Sequence, residues 1–158
     1  IQVEHPVTEM VTGIDLVREM ILIALGEPLR LKQSDIALRG AAIEVRINAE
    51  NAAKNFMPCP GQVGALRIPG GPGVRFDTML FAGCKVPPYY DSLVGKLIVH
   101  DDSRSAALAR MRAALAELHI EGIHTTAALH RRLVDHDDVI AGRFDTGSLE
   151  TWLSESPL

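Results

Sequence analysis

Ala41-Ala42-Ile43-Glu44-Val45-Arg46-Ile47-Asn48 alternates cleanly between apolar and polar residues. A strand has a side-chain period of two, so Ile43, Val45 and Ile47 share one face and Glu44, Arg46 and Asn48 the other. The pattern predicts a strand with one face on a core and a charged opposite face. Around it the middle third is broken by turn residues: Pro58, Pro60-Gly61, Pro69-Gly70-Gly71-Pro72-Gly73 and Pro87-Pro88. Further strands are predicted near Gln62–Ile68, Val74–Thr78 and Leu93–His100, with hairpin-like connections.

Helical patterns flank this region. Ile14, Val17, Ile21 and Leu25 recur at helical spacing, and Thr12 with Asp15 reads as a capping box. This predicts a first helix over about Gly13 to Leu25, stopped by Gly26 and Pro28. Leu29 to Gly40 reads as a connection. Asp102 or Ser103 can cap a helix to about Leu118 with Leu108, Met111, Leu115 and Leu118 as its apolar stripe. Ile120 to Ile123 suits a last strand. Thr125 or Thr126 begins a helix to about Asp135, and a short helix is expected over about Ser148 to Leu153. A helical opening, a β-rich middle and a helical end predict an α+β fold with a mainly antiparallel sheet and flanking helices.

Composition narrows the function. Of the 158 residues, 47% are hydrophobic, enough to bury a core, and 23% are charged. The net charge of -4 comes without a basic block, and aromatics are only 4%, which disfavours nucleic-acid binding. Two cysteines, Cys59 and Cys84, make no disulfide framework and suit a reduced, cytoplasmic protein. No apolar run is long enough to span a bilayer, so no membrane partner is expected.

Several segments hold residues suited to chemistry. Ile1-Gln2-Val3-Glu4-His5-Pro6-Val7-Thr8-Glu9 is read as opening on an extended stretch, with Gln2 and Glu4 on one face. An amide can orient a small polar substrate while a carboxylate takes its proton, although an exposed strand end has the same pattern. Arg46, between Glu44 and Asn48, can bind an oxyanion or make a cross-strand salt bridge. Pro87-Pro88-Tyr89-Tyr90-Asp91-Ser92-Leu93-Val94-Gly95-Lys96 can wall a pocket through Tyr90 and Asp91, or simply lead into a strand. The glycine-rich run 69–73 lacks the Lys-Ser/Thr ending of a phosphate loop and reads as a hairpin loop. The six histidines (His5, His100, His119, His124, His130, His136) have no metal-ligand spacing, and His124 and His130 read as helix-surface residues. No metal site is expected within this chain.

Three stretches together resemble the biotin carboxylase family: Ile1–Glu9, Glu44-Val45-Arg46-Ile47-Asn48-Ala49-Glu50, and Pro87–Leu97. Their order and spacing match, and the resemblance runs through nearly the whole chain. It implies the end of an ATP-grasp domain over 1–38, a biotin carboxylase C-terminal domain over 39–147, and a terminal helix and tail over 148–158. It also implies an ATP-dependent ligase that carboxylates biotin on a carrier protein, using bicarbonate and ATP with Mg2+ or Mn2+. On this resemblance Glu4 is the base that deprotonates bicarbonate. Gln2 and the backbone of Val3 hold bicarbonate. Arg46 binds bicarbonate and then steadies the biotin enolate. Ile123 walls the adenine pocket, and Arg75 lies at a homodimer interface.

The sequence also departs from the family pattern. An aromatic that members can carry three residues before Arg75 is Pro72 here. The motif's Asn and Arg, which would precede Ile1, are absent, as are the lysines, glycine-rich loop and acidic metal ligands that grip ATP and magnesium. The chain is therefore expected to be the C-terminal piece of a longer enzyme, inactive alone. Its ending after Trp152 and Leu153, with no Met-Lys-Met biotinylation site, favours the separate biotin carboxylase subunit of an acetyl-CoA carboxylase in fatty acid synthesis. The partners implied are the biotin carboxyl carrier protein, the carboxyltransferase subunits and a second copy. A propionyl-CoA, methylcrotonyl-CoA or pyruvate carboxylase is the alternative. From other classes, the competing readings are a non-catalytic folding and dimerisation module and a carbamoyl phosphate synthetase-like ligase.

Overall fold

The three longest strands form one antiparallel sheet in a computed structural model that describes residues 1–156. These are β1 (Ala41–Asn48), β6 (Val74–Thr78) and β8 (Leu93–Asp101), in the order β1-β8-β6. The last of the three in sequence is central. Its register pairs Val45 with Leu97 and Arg46 with Lys96 on one side, and Phe76 with Leu97 and Asp77 with Lys96 on the other. Ile43, Val45 and Ile47 therefore join Leu97, Val99, Val74 and Phe76 on one face, where they meet the core.

That face is covered by α3 (Arg104–Glu117), capped by Ser103, whose hydroxyl accepts from the Ala106 N–H at 3.2 Å. Leu108, Met111 and Leu115 are buried at helical spacing, and Leu118 closes the stripe. Smaller pairings tie down the loops. They are β2 (Glu50–Asn51) with β3 (Met57–Pro58), β4 (Gly61–Gln62) with β7 (Lys85–Val86), and β5 (Leu66–Arg67) with β9 (His119–Ile120). Helices α4 (Ala127–Leu133), α5 (Asp137–Ala141) and α6 (Ser148–Glu155) finish the order. The architecture is the α+β, antiparallel one expected. The tail at residues 157–158 lies outside the described residues.

Local expectations needed correction. The chain does not open on an extended segment: His5 N–H donates to the Gln2 carbonyl at 3.1 Å in a turn, and α1 (His5–Thr12) follows at once. Pro6 in the first helical turn explains this, because its ring presets φ and it lacks an N–H that the helix could not use there. Gly13, at φ 73°, ends α1. The next helix, α2 (Leu16–Ala24), starts later than expected, because Asp15 is itself the cap and accepts from Arg18 N–H at 2.8 Å. Thr12 instead turns back to donate to the Thr8 carbonyl at 2.6 Å.

The single strand expected over 62–68 is two short pieces with different partners. They part at Gly64, whose N–H donates to the Glu121 carbonyl at 2.8 Å. Residues 69–73 consequently join strands of two sheets and form no hairpin.

Gly95 is required by the sheet's core face. A Cβ there would sit 2.8 Å from the Phe76 ring. We predict that Gly95→Ala costs about 1–3 kcal/mol through overpacking. Denaturant unfolding should show this loss, and Phe76→Leu in the same chain should recover part of it.

Candidate functional site

The sheet's other face carries the charges. Register places Arg46, Lys96 and Asp77 side by side in one row, and Glu44, Ile98 and Arg75 in the next. Helix α1 lies across these rows. Its Pro6 and the sheet's Ile98 are fully buried between them, apart from the main core.

Glu4 is the N-cap residue of α1, placed beside β1 by the turn before it. Its carboxylate accepts from Arg46 Nη2 at 3.0 Å, across 42 residues of sequence. Both side chains are about half exposed, at 53% and 54%. A pair in such solvent contact contributes about 0–1 kcal/mol, so either partner can be drawn onto a ligand at little cost to the fold. Lys96 extends the group, donating to the Val3 carbonyl at 3.3 Å and lying 3.0 Å from His5 Nε2.

Deeper under α1 the ion pairs become structural. Arg75 donates twice to Asp77, at 2.8 and 2.7 Å, and once to Glu9 at 2.6 Å. Glu9 is buried, lies 3.0 Å from His5 Nδ1 and accepts from the Leu16 N–H at 3.0 Å. Burial pushes its pKa up, but the bonds from Arg75 and His5 outweigh burial and hold it below the ordinary value. The Arg75 fork likewise holds Asp77 low against burial, and Arg75's own pKa is raised by Asp77 and Glu9. Glu44 behaves oppositely: burial raises its pKa despite Lys96 and Arg46 nearby, and its Oε2 has no hydrogen-bond partner.

A cavity of about 570 Å³ opens beside Arg46, lined by Val3, Arg46, Asn48, Met79, Tyr90 and Asp91 among others. Asp91 caps the entry to β8, accepting from Leu93 N–H at 2.8 Å. Glu50 holds Asn48 Nδ2 at 3.2 Å and also accepts from Ser92 Oγ. Val3, Glu4, Arg46, Tyr90 and Asp91 are thus brought to one side of the sheet, whereas Gln2 is exposed and its backbone carbonyl accepts from the His5 N–H. Ile123 is half-buried and packs toward Gly61, where an added Cβ would meet it at 3.0 Å. Arg75 sits under α1, beside a larger cleft of about 710 Å³ lined also by Met10, Ile14, Val17 and Ile21 of the first two helices and their link.

Two contributors were not legible beforehand. Thr126 is buried and His130 half-buried, and both donate to the Arg46 backbone carbonyl, at 2.9 and 2.8 Å. His130 is therefore no helix-surface residue; burial lowers its pKa against the bond to Arg46, which favours the charged form. His124 is exposed. The spacing Thr126–His130, one helical turn, was the available signal.

No three His, Cys, Asp or Glu side chains converge in a geometry suited to a metal among the described residues. Of the acidic groups near Arg46, Glu4 pairs with Arg46 itself, Glu50 accepts from Asn48 and Ser92, and Asp91 accepts from the Leu93 N–H. Cys59 and Cys84 are free thiols. No helix among the described residues is long and apolar enough to cross a membrane.

This arrangement sets an acid–guanidinium pair on an α+β scaffold beside a cavity, and comparison with known proteins identifies the class. Residues 44–151 match the biotin carboxylase C-terminal domain, and residues 1–32 match the carbamoyl-phosphate synthase L chain ATP-binding domain. The chain belongs to the biotin carboxylase family. Biotin carboxylase 1 of Bacillus subtilis is 53% identical over 152 residues, covering 96% of this chain and 34% of that protein. A pyruvate carboxylase subunit of Methanothermobacter thermautotrophicus is 47% identical over 146 residues, covering 92% of this chain and 30% of that protein. The biotin carboxylase domain of Hydrogenobacter thermophilus 2-oxoglutarate carboxylase, a dimer in complex with MgADP, ADP and bicarbonate, superposes with a TM-score of 0.93 at 46% identity. That match covers 96% of this chain and 33% of the other. The chain thus spans about a third of the length of these relatives.

The lowered pKa values of Glu9 and Asp77 set a pH dependence. Each group binds its proton less readily when folded, so its stabilisation is present above the unfolded value, 4.5 for Glu9 and 3.8 for Asp77, and is lost as pH falls through the folded value. Stability should therefore decline below about pH 5. Glu9→Gln should cost about 1–3 kcal/mol at pH 7 and flatten that decline, as read by denaturant midpoints from pH 7 to 3.

Proposed function

We propose that this chain is the C-terminal part of a biotin carboxylase, an ATP-dependent ligase that carboxylates biotin on a carrier protein. The observation that carries this reading is the Glu4–Arg46 pair, 3.0 Å apart at the edge of a cavity. On this reading bicarbonate enters between the two. Glu4, with a half-exposed carboxylate, takes its proton, so that bicarbonate can attack the γ-phosphate of ATP and give carboxyphosphate. Arg46 first binds bicarbonate through its planar fork and then holds the enolate oxygen of biotin as carbon dioxide is released. The phosphate released from carboxyphosphate takes the ureido proton. Gln2 and the Val3 backbone hold bicarbonate, and Tyr90 and Asp91 wall the space beside Arg46. Magnesium would neutralise charge on the phosphates when bound, and its ligands are assigned to the parent's preceding segment.

Further assignments rest on the family. Residues 1–38 are the end of the ATP-grasp domain, 39–147 the C-terminal domain and 148–158 a terminal helix and tail. Ile123 walls the adenine pocket. Arg75, with the neighbouring cleft, belongs to a homodimer contact. The parent works in the cytoplasm with a biotin carboxyl carrier protein and carboxyltransferase subunits. An acetyl-CoA carboxylase is the favoured complex, since the curated relatives include biotin carboxylases at about half identity over most of this chain. A pyruvate or other acyl-CoA carboxylase is the second reading, supported by the similarity to a pyruvate carboxylase component.

In the full-length parent, Arg46→Lys keeps the charge and loses the fork. Biotin carboxylation should fall ~10²-fold with little change in the KM for ATP, as for loss of a transition-state oxyanion donor. Glu4→Gln should lower turnover ~10²–10⁴-fold. Steady-state assays of ATP hydrolysis with bicarbonate and biotin read both, and a Glu4→Gln variant with normal turnover would remove the base assignment.

A further inference from the structure

We infer that Thr126 and His130 are positioning residues for Arg46, a role that rests on the biotin carboxylase reading above. β1 is an edge strand, so its outer backbone groups have no neighbouring strand to bond. Its register also slips between Ile47 and Asn48. An edge strand with a bulge is the least constrained place in a sheet from which to project a side chain.

Thr126 takes the place of the missing strand. Its hydroxyl donates to the Arg46 carbonyl at 2.9 Å and accepts from the Asn48 N–H at 3.0 Å. Its own N–H donates to the Asn48 carbonyl at 3.1 Å. One buried residue thus repeats the bonding of a β-ladder across the slip, and at 5% exposure water cannot stand in for it. His130, one turn along α4, brings a ring nitrogen to 2.8 Å from the same Arg46 carbonyl. A carbonyl only accepts, so Nε2 carries the proton, and the carbonyl has two lone pairs for two donors.

These four bonds fix the backbone at Arg46 and Asn48. They thereby fix the direction in which both side chains leave the strand, toward the cavity they line. The guanidinium itself is half exposed and bonded to Glu4, a partner that must release it when a ligand enters. The backbone clamp is independent of that exchange. It holds the origin of the Arg46 side chain while its tip changes partners, and neither Thr126 nor His130 lines the cavity beside Arg46.

The test uses the full-length parent. Thr126→Val removes the hydroxyl at nearly constant volume, and Thr126→Ser keeps it. Biotin- and bicarbonate-dependent turnover is expected to fall roughly 10- to 100-fold in T126V, the scale of a slight misplacement of a catalytic group. The KM for ATP should stay within about twofold, and T126S should recover turnover to within about threefold, because the bonding group is retained. Unchanged turnover in a folded T126V, equal losses in T126V and T126S, or a parallel rise in the KM for ATP would overturn the assignment. Should T126V fail to fold, His130→Leu reads the same split, with His130→Gln, whose amide can donate, as its rescue. A wild-type parent without biotin-dependent turnover would remove the proposed function, and the positioning role with it. An active parent indifferent to both T126V and H130L would remove the positioning role alone.

Discussion

Arg75 holds Glu9 of α1 and Asp77 of β6 at once, with three hydrogen bonds between 2.6 and 2.8 Å. This fork, together with Pro6 and Ile98 buried beside it, joins the opening helix to a sheet assembled much later in the chain. The site depends on that junction. Glu4 stands at the first turn of α1, and Arg46 on the strand below, so the two meet only while α1 lies across the sheet. Removing Arg75 would take the guanidinium from both carboxylates at once, and Glu9, the buried one, would keep only His5 and the Leu16 N–H.

A division of labour follows from exposure. The pairs under α1 are partly or largely buried and stabilise the docking, whereas the Glu4–Arg46 pair at its rim is half in solvent. The buried pairs resist exchange and the rim pair permits it. Glu44 adds a different element: a carboxyl whose burial favours its neutral form, set among the cations of the same face. Behind the sheet edge, Thr126 and His130 complete the support of Arg46 from the far end of the chain.

Much of the fold could be read in advance because its signals were local. The alternation of 41–48, the stripe of Leu108, Met111 and Leu115, and the Ser103 cap each involve residues close in sequence, and each element formed near its expected limits. The errors fell where local signals competed. Thr12 and Asp15 have the spacing of a capping box, but Gly13 between them ends one helix and Asp15 caps the next, so the pair mimics the start of a single helix. Residues 62–68 lack a clean alternation, and their two halves answer to partners more than 20 and more than 50 residues away.

The sequence by itself determined the residue types of the site and the family they belong to, since Glu4, Arg46, Tyr90 and Asp91 lie in stretches whose order and spacing carry the resemblance. It also determined that Arg46 leaves the polar face of a strand, because a period of two allows nothing else. Tertiary structure decided the rest. That Glu4 reaches Arg46 from a helical turn, that Glu9 is buried against Arg75, and that His130 turns inward to a backbone carbonyl are contacts across 42, 66 and 84 residues. No local propensity encodes such separations; the first two follow from β8 settling between β1 and β6 and presenting one charged face for α1 to cover, and the third from α4 packing against the open edge of β1.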